Sequence, residues 1–145
     1  MLLTGVFGRS LDQKLRVAIP KKLRQALIPE QGKGVYLAPG TDGSLAIYGE
    51  PAFAALAERL AQASPTREDV RAFNRLFYAR AQWVEPDAQG RVRIPPELAA
   101  LARLEKEVML LGVHDHLELW SAAQWQAYLN EKQSHYDQIA EAAFR

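Results

Sequence analysis

The sequence predicts an α+β fold with a mainly β core, formed by two internal repeats with flanking helices. Three observations carry this. The stretch from Asp12 to Pro20 returns from Asp87 to Pro95, with an acid, an arginine four residues on, an alternating apolar run and a closing proline at matching places. After each proline comes a short segment (Lys21 to Leu27, Pro96 to Leu101) and then a hairpin-like pair. Val35 to Ala38 with Leu45 to Tyr48 is answered by Val108 to Val113 with Leu117 to Trp120. Finally, Phe53 and Trp125 each stand five residues after Tyr48 and Trp120. The organisation expected is a first repeat with its helix over 1–63, a connecting helix over 64–79, and a second repeat with a C-terminal helix over 80–145. With 145 residues in all, each half alone would bury too little surface, so the two should share one core about a pseudo-twofold.

Taken in order, Val6 to Leu11 reads as a strand, weakened by Gly8 and the preceding Gly5. Asp12 opens a tight turn, because its carboxylate can accept from backbone N–H groups just ahead. Gly90 sits before Arg91 in the second copy, where a positive φ closes the turn. Leu15 holds that place in the first. A leucine there costs about 1 kcal/mol, so Leu15→Gly is expected to raise the melting temperature. Arg16 to Ile19 and Arg91 to Ile94 alternate with period two, which puts Val17 and Ile19 on one face and Arg16, Arg91 and Arg93 on the other. The prolines then stop each strand and start a short helix.

A helix over Pro51 to Ala63 rests on Phe53, Leu56, Ala57 and Leu60 sharing a face. Ser64 and Pro65 read as the N-cap and first residue of the connecting helix, with Val70, Phe73 and Phe77 as its stripe. Arg80 to Glu85 reads as the strand into the second turn. Ser121 with Gln124 forms a capping box, and Trp125 to Ala143 reads as one long final helix whose last turns stand clear of the core.

Hydrophobic content of 48% and charged content of 24% are those of a globular protein, not a disordered one. No apolar run approaches the roughly 18 residues of a membrane span, and the amino end lacks the ordered parts of a secretory signal. No membrane partner is expected, and the expected location is cytoplasmic. Zero cysteine excludes disulfides, thiolate metal sites and cysteine nucleophiles. Net charge is only +1, but before Val35 the bases Arg9, Lys14, Arg16, Lys21, Lys22, Arg24 and Lys33 face only Asp12 and Glu30. One end is basic, as a polyanion-binding surface requires.

A single acid-to-arginine turn is ordinarily a surface pair worth about 0 to 1 kcal/mol. Two of them about a pseudo-twofold change the reading. They place Lys14, Arg16, Arg91 and Arg93 on one surface, and a two-stranded ribbon of this kind can enter a DNA major groove. His114, Asp115 and His116 are read as a hairpin turn rather than a metal clip. Glu131, Asp137 and Glu141 read as a solvated helix face, and the aromatic stripes as core or subunit contact. No catalytic residue, cofactor site or metal site is expected. No nucleophile stands with a base, and no phosphate-cradling glycine loop or zinc spacing appears.

On these doubled turns, on the strand-to-proline step after each, and on Glu107 to Gly112 and Leu117 to Trp120, the sequence resembles the MraZ family over nearly its whole length. The resemblance implies the swapped-hairpin, double-psi-like barrel shared with AbrB-like regulators. It also implies a nucleoid-associated transcription regulator of the division and cell wall gene cluster, a ring-shaped homo-oligomer on direct repeats of double-stranded promoter DNA. The family's DNA-contacting arginine carries over to Arg16 and Arg91, its basic neighbour to Lys14, and its motif acids to Asp12 and Asp87. Leu15 departs from the usual glycine and Gln89 from the frequent lysine. The rival reading is an AbrB-like, antitoxin-type module that grips a partner protein, and salt dependence separates the two.

Overall fold

The computed structural model of the chain describes residues 2–145. The first half contains β1 (Val6–Ser10), β2 (Arg16–Ala18), α1 (Lys21–Leu27), β3 (Val35–Pro39), β4 (Leu45–Gly49) and α2 (Glu50–Ala61). The connecting α3 (Glu68–Arg80) leads to β5 (Gln82–Val84), β6 (Arg91–Arg93), α4 (Pro96–Leu101), β7 (Glu107–Val113), β8 (His116–Ser121), α5 (Ala122–Lys132) and α6 (Tyr136–Ala143). The antiparallel strands form a six-stranded sheet, in the order β1-β7-β8-β4-β3-β5, and a separate two-stranded ribbon of β2 and β6. No ladder joins the edge strands β1 and β5 among the described residues, so hydrogen bonding leaves the sheet open.

Each half lends its first strand to the other half's hairpin. Phe7, Gly8 and Arg9 pair with Leu110, Met109 and Val108, while Gln82, Trp83 and Val84 pair with Leu37, Tyr36 and Val35. These registers coincide once the repeats are superposed in sequence, because Phe7 corresponds to Gln82 and Leu110 to Leu37. Two further ladders cross between halves at the symmetry axis: Val17 opposite Val92 in the ribbon, and Ala46 opposite Glu118 in the sheet. An isolated half would lose four ladders, so the halves fold together.

The core follows from the same pairing. Val17 and Val92, Ile19 and Ile94, Leu37 and Leu110, and Leu45 and Leu117 are repeat-related pairs, all 2% exposed or less and all in one cluster. Full burial of such a side chain contributes about 1.5 to 3 kcal/mol. The aromatic stripes pack within the chain. Phe53 of α2 stacks on Tyr36 at 4.2 Å and reaches Phe77 of α3, while Trp125 and Tyr128 of α5 lie against Trp120.

Three local expectations are corrected. Ser64 and Pro65 lie in a turn in which the Ser64 carbonyl accepts from Arg67 N–H at 3.3 Å, and α3 begins only at Glu68. The final helix is two pieces, interrupted by a 3-10 turn over Gln133–His135. Beyond it every residue of α6 except Ala140 is exposed, so little packing enforces straight continuation. The capping box is half made. Ser121 Oγ accepts from Gln124 N–H at 3.0 Å, but Gln124 Oε1 is buried without a partner.

Candidate nucleic-acid interface

Both acid-to-arginine turns are built by one carboxylate taking three donors. Asp12 Oδ1 accepts from the backbone N–H of Lys14 at 2.9 Å and of Arg16 at 2.8 Å, and Asp12 Oδ2 accepts from Arg16 Nε at 2.7 Å. Asp87 repeats this with Gln89 N–H at 3.0 Å, Arg91 N–H at 2.9 Å and Arg91 Nε at 2.8 Å. Chiefly through the backbone donors Arg16 N–H and Arg91 N–H, each carboxyl is held below its ordinary value of 3.8. The turn residue before each arginine has positive φ, 62° at Leu15 and 78° at Gly90. Leucine therefore does occupy the left-handed region there.

With Nε held by the acid, each guanidinium is fixed against its own turn. Fixed planar donors of this kind suit paired acceptors on a base edge or phosphate.

The ribbon brings the two turns together. In its register Arg16 is opposite Arg93, and Arg91 is opposite Ala18. Arg91 Nη1 lies 4.0 Å from Asp12 Oδ2, so the second turn's arginine reaches the first turn's acid. Arg91 Nη2 also donates to Gln89 Oε1 at 3.3 Å. Lys14 and Arg93 are exposed and lack an acid partner among the described residues. Asp12, Lys14, Arg16, Asp87, Arg91 and Arg93 thus share one surface, while Val17 and Val92 seal its other face at 0% exposure.

One basic residue joins them from outside the motif. Arg24 of α1 donates through Nε to Ile19 O at 2.9 Å, and its guanidinium covers Gly90 so closely that a Cβ there would come within 2.4 Å of Cζ. The repeat-related position is Ala99. Sequence reading counted Arg24 as a base without placing it at the second turn. The signal was the paired mismatch: Leu15 with Ala99 in one setting, Gly90 with Arg24 in the other.

His114 and His116 lie at the β7–β8 hairpin. His114 and Asp115 make the two-residue turn between β7 and β8, with His114 at φ 66°. His116 Nδ1 is 2.8 Å from Asp115 Oδ1, its Nε2 is 3.8 Å from Glu118 Oε2, and its ring stacks on Tyr48. Glu118 and Asp115 together raise its pKa above 6.5. No group of three metal-ligating side chains occurs among the described residues, and no helix there is long and apolar enough to cross a membrane.

Comparison with known proteins agrees with the internal repeat. The family described as "MraZ protein, putative antitoxin-like" matches twice, over residues 2–76 and 77–145. A protein of Alkaliphilus oremlandii is 39% identical over 136 residues, covering 94% of this chain and 92% of the relative. One of Lactiplantibacillus plantarum is 40% identical over 137 residues, with 94% of each covered. A third, of Thermomicrobium roseum, is 42% identical over 123 residues, covering 85% and 84%. All three bear the name transcriptional regulator MraZ. With both repeats matched and this identity held over most of its length, the chain belongs to the MraZ family.

Proposed function

We propose that this chain is a transcriptional regulator, not an enzyme, and that its β2–β6 ribbon binds double-stranded DNA. The observation that carries the reading is the 4.0 Å approach of Arg91 to Asp12, which joins two separately encoded turns into one cationic surface. Arg16, Arg91 and Arg93 face the groove and Lys14 meets phosphate, with Asp12 and Asp87 as the locks that aim the arginines. No covalent step is involved, so rigidity and charge are all that the site must supply.

One subunit offers few cations, and affinity grows with the number of phosphates neutralised. Repetition around a ring-shaped homo-oligomer, set against direct repeats in promoter DNA, raises effective concentration and answers this weakness. Surface for such contacts exists. An apolar groove of about 300 Å³ runs between Pro39, Phe73, Leu76 and Leu101, and Tyr136, Ile139 and Phe144 of the C-terminal segment are exposed. The aromatic faces of α2 and α5 are largely spent on Tyr36, Tyr48 and Trp120. Strand exchange between halves fits the swapped-hairpin, AbrB-like description of the fold, with 1–63 and 80–145 as the exchanging units and 64–79 between them. Regulation of the division and cell wall gene cluster from the nucleoid completes the reading.

The test is Arg16→Ala against a duplex from the region upstream of the chain's own gene. The variant keeps its melting temperature and oligomeric state within a few degrees and one size class, yet loses most of its affinity. Retained binding at moderate salt removes Arg16 from the interface, and salt-insensitive pairing with a protein instead of DNA favours the antitoxin-type module.

A further inference from the structure

The second turn lacks the lysine of the first, since Gln89 stands where Lys14 does. By the motif alone this turn would present one cation, Arg91, against two at the first. Arg24 closes the gap from the other half of the chain. Its guanidinium lies against the backbone of Gly90, inside the second acid-to-arginine turn, and Ile19 N–H bonds to Gly90 O at 3.2 Å beside it. Among the described residues its only hydrogen bond runs from Nε to Ile19 O. Among the described residues no carboxylate pairs with Arg24, and its Nη atoms are not among the buried groups left without partners. Arg24 is partly exposed, so its charge is presented at the turn with no carboxylate to neutralise it among the described residues. The first turn has the reverse arrangement, with Lys14 present and neutral Ala99 at the Arg24 position.

We infer that Arg24 is a phosphate-binding residue of the DNA interface, supplied across the pseudo-twofold to the second turn in place of the lysine that Gln89 displaces. The inference rests on the DNA-binding reading above and deepens it. Each turn then presents one acid-locked arginine and one auxiliary cation: Lys14 from within the first turn, Arg24 from the opposite half at the second. The auxiliary cation at the second turn is also the side chain that shields Gly90, and the pose it holds there requires a turn residue without a Cβ.

The experiment measures affinity of the full chain for a labelled duplex from its own upstream region across a salt series. Each phosphate contact contributes about 0.9 to the slope of log affinity against log salt. Arg24→Gln is expected to lower that slope by about 1 for each subunit engaged, with roughly equal loss on unrelated duplexes, as a phosphate contact should. Arg24→Lys keeps the charge but not the planar cover, and retains the slope. Gln89→Lys placed on Arg24→Gln restores the slope by supplying the cation from within the turn. An unchanged slope in Arg24→Gln, with Arg16→Ala still abolishing binding, overturns the inference while leaving the DNA reading intact. Equal slope losses in Arg24→Gln and Arg24→Lys overturn it too, because shielding of Gly90 and not charge would then be what binding needs. Wild-type protein that binds no duplex at any salt removes the DNA reading, and this inference with it.

Discussion

The two acid-to-arginine turns share the same three hydrogen bonds to their aspartates and have opposite packing. At Asp12 the left-handed residue is Leu15, half-buried against the core. At Asp87 it is Gly90, buried under Arg24. Three bonds to one carboxylate in each case are enough to hold the geometry, so the turn does not depend on glycine. What glycine permits is a visitor. The volume missing from Gly90 is filled by Arg24, whereas Leu15 packs against the core and the repeat position of Arg24 holds only Ala99.

The sharpest way to break this comparison is to rebuild the first turn inside the second. Gly90→Leu drives a Cβ to within 2.4 Å of Arg24 Cζ and adds a side chain at positive φ. The Arg24 guanidinium, the free end of a flexible side chain, must then swing off the turn and give up its bond to Ile19 O, about 0.5 to 1.5 kcal/mol, and the left-handed residue costs about 1 to 2 more. On an Arg24→Ala background there is no guanidinium to displace, so Gly90→Leu then costs only the left-handed strain. Thermal unfolding of the single and double variants reads this directly. Arg24→Ala that costs as much on Gly90→Leu as on the wild type breaks the compensation.

Next in size is the shared acid lock. Each carboxyl is depressed below 3.8 by its backbone donors, so the folded state holds fewer protons than the unfolded one at acid pH. The stabilisation is complete above the ordinary carboxylate range and is lost as pH falls through the depressed folded values. Asp12→Asn and Asp87→Asn each flatten that acid limb, and by similar amounts because the bonds are alike. Melting temperature between pH 2 and 6 checks it; unequal effects mean that one turn leans on something besides its aspartate.

Why some of this could be read ahead, and some not, follows from the range of the forces. The locks are local, spanning residues 12 to 16 and 87 to 91, so residue type and spacing suffice to place them. Alternation over Val17 and Ile19 likewise separated the sealed face from the arginine face. Partner choice is tertiary. Nothing within Val6–Ser10 says that it pairs with β7 from the other half, and only superposing the registers shows the exchange. The break at Gln133–His135 carries no proline or glycine to mark it. Arg24 reaches the second turn only because the ribbon crosses there, which no window of sequence contains.

Leu15→Gly is a smaller and more informative change. The sequence alone argues for a rise in melting temperature, because about 1 kcal/mol of left-handed strain is relieved. The structure adds two opposing losses: the packing of a half-buried leucine against the core, and about 0.5 to 1 kcal/mol from the greater freedom of glycine in the unfolded chain. The expected outcome is a melting temperature unchanged or slightly lower. A clear rise would show that strain outweighs packing at this turn.

The smallest effect concerns the opposite end of the repeat, where Ser44 and His116 are related positions. Ser44 is buried and satisfied by donating to Thr41 O at 2.8 Å, a bond that does not titrate. His116 instead stands between Asp115 and Glu118, stacked on Tyr48 of the other half, with Arg59 of α2 4.0 Å from Asp115. Its folded pKa lies above 6.5, so its contribution is fully present below that value and disappears as pH rises through the folded one. Between pH 6 and 9 the wild-type melting temperature should therefore fall. His116→Gln should flatten that slope, and Ser44→Ala should leave it unaltered. A slope that survives His116→Gln places the titrating group elsewhere and removes this ionisable contact from the differences between the halves.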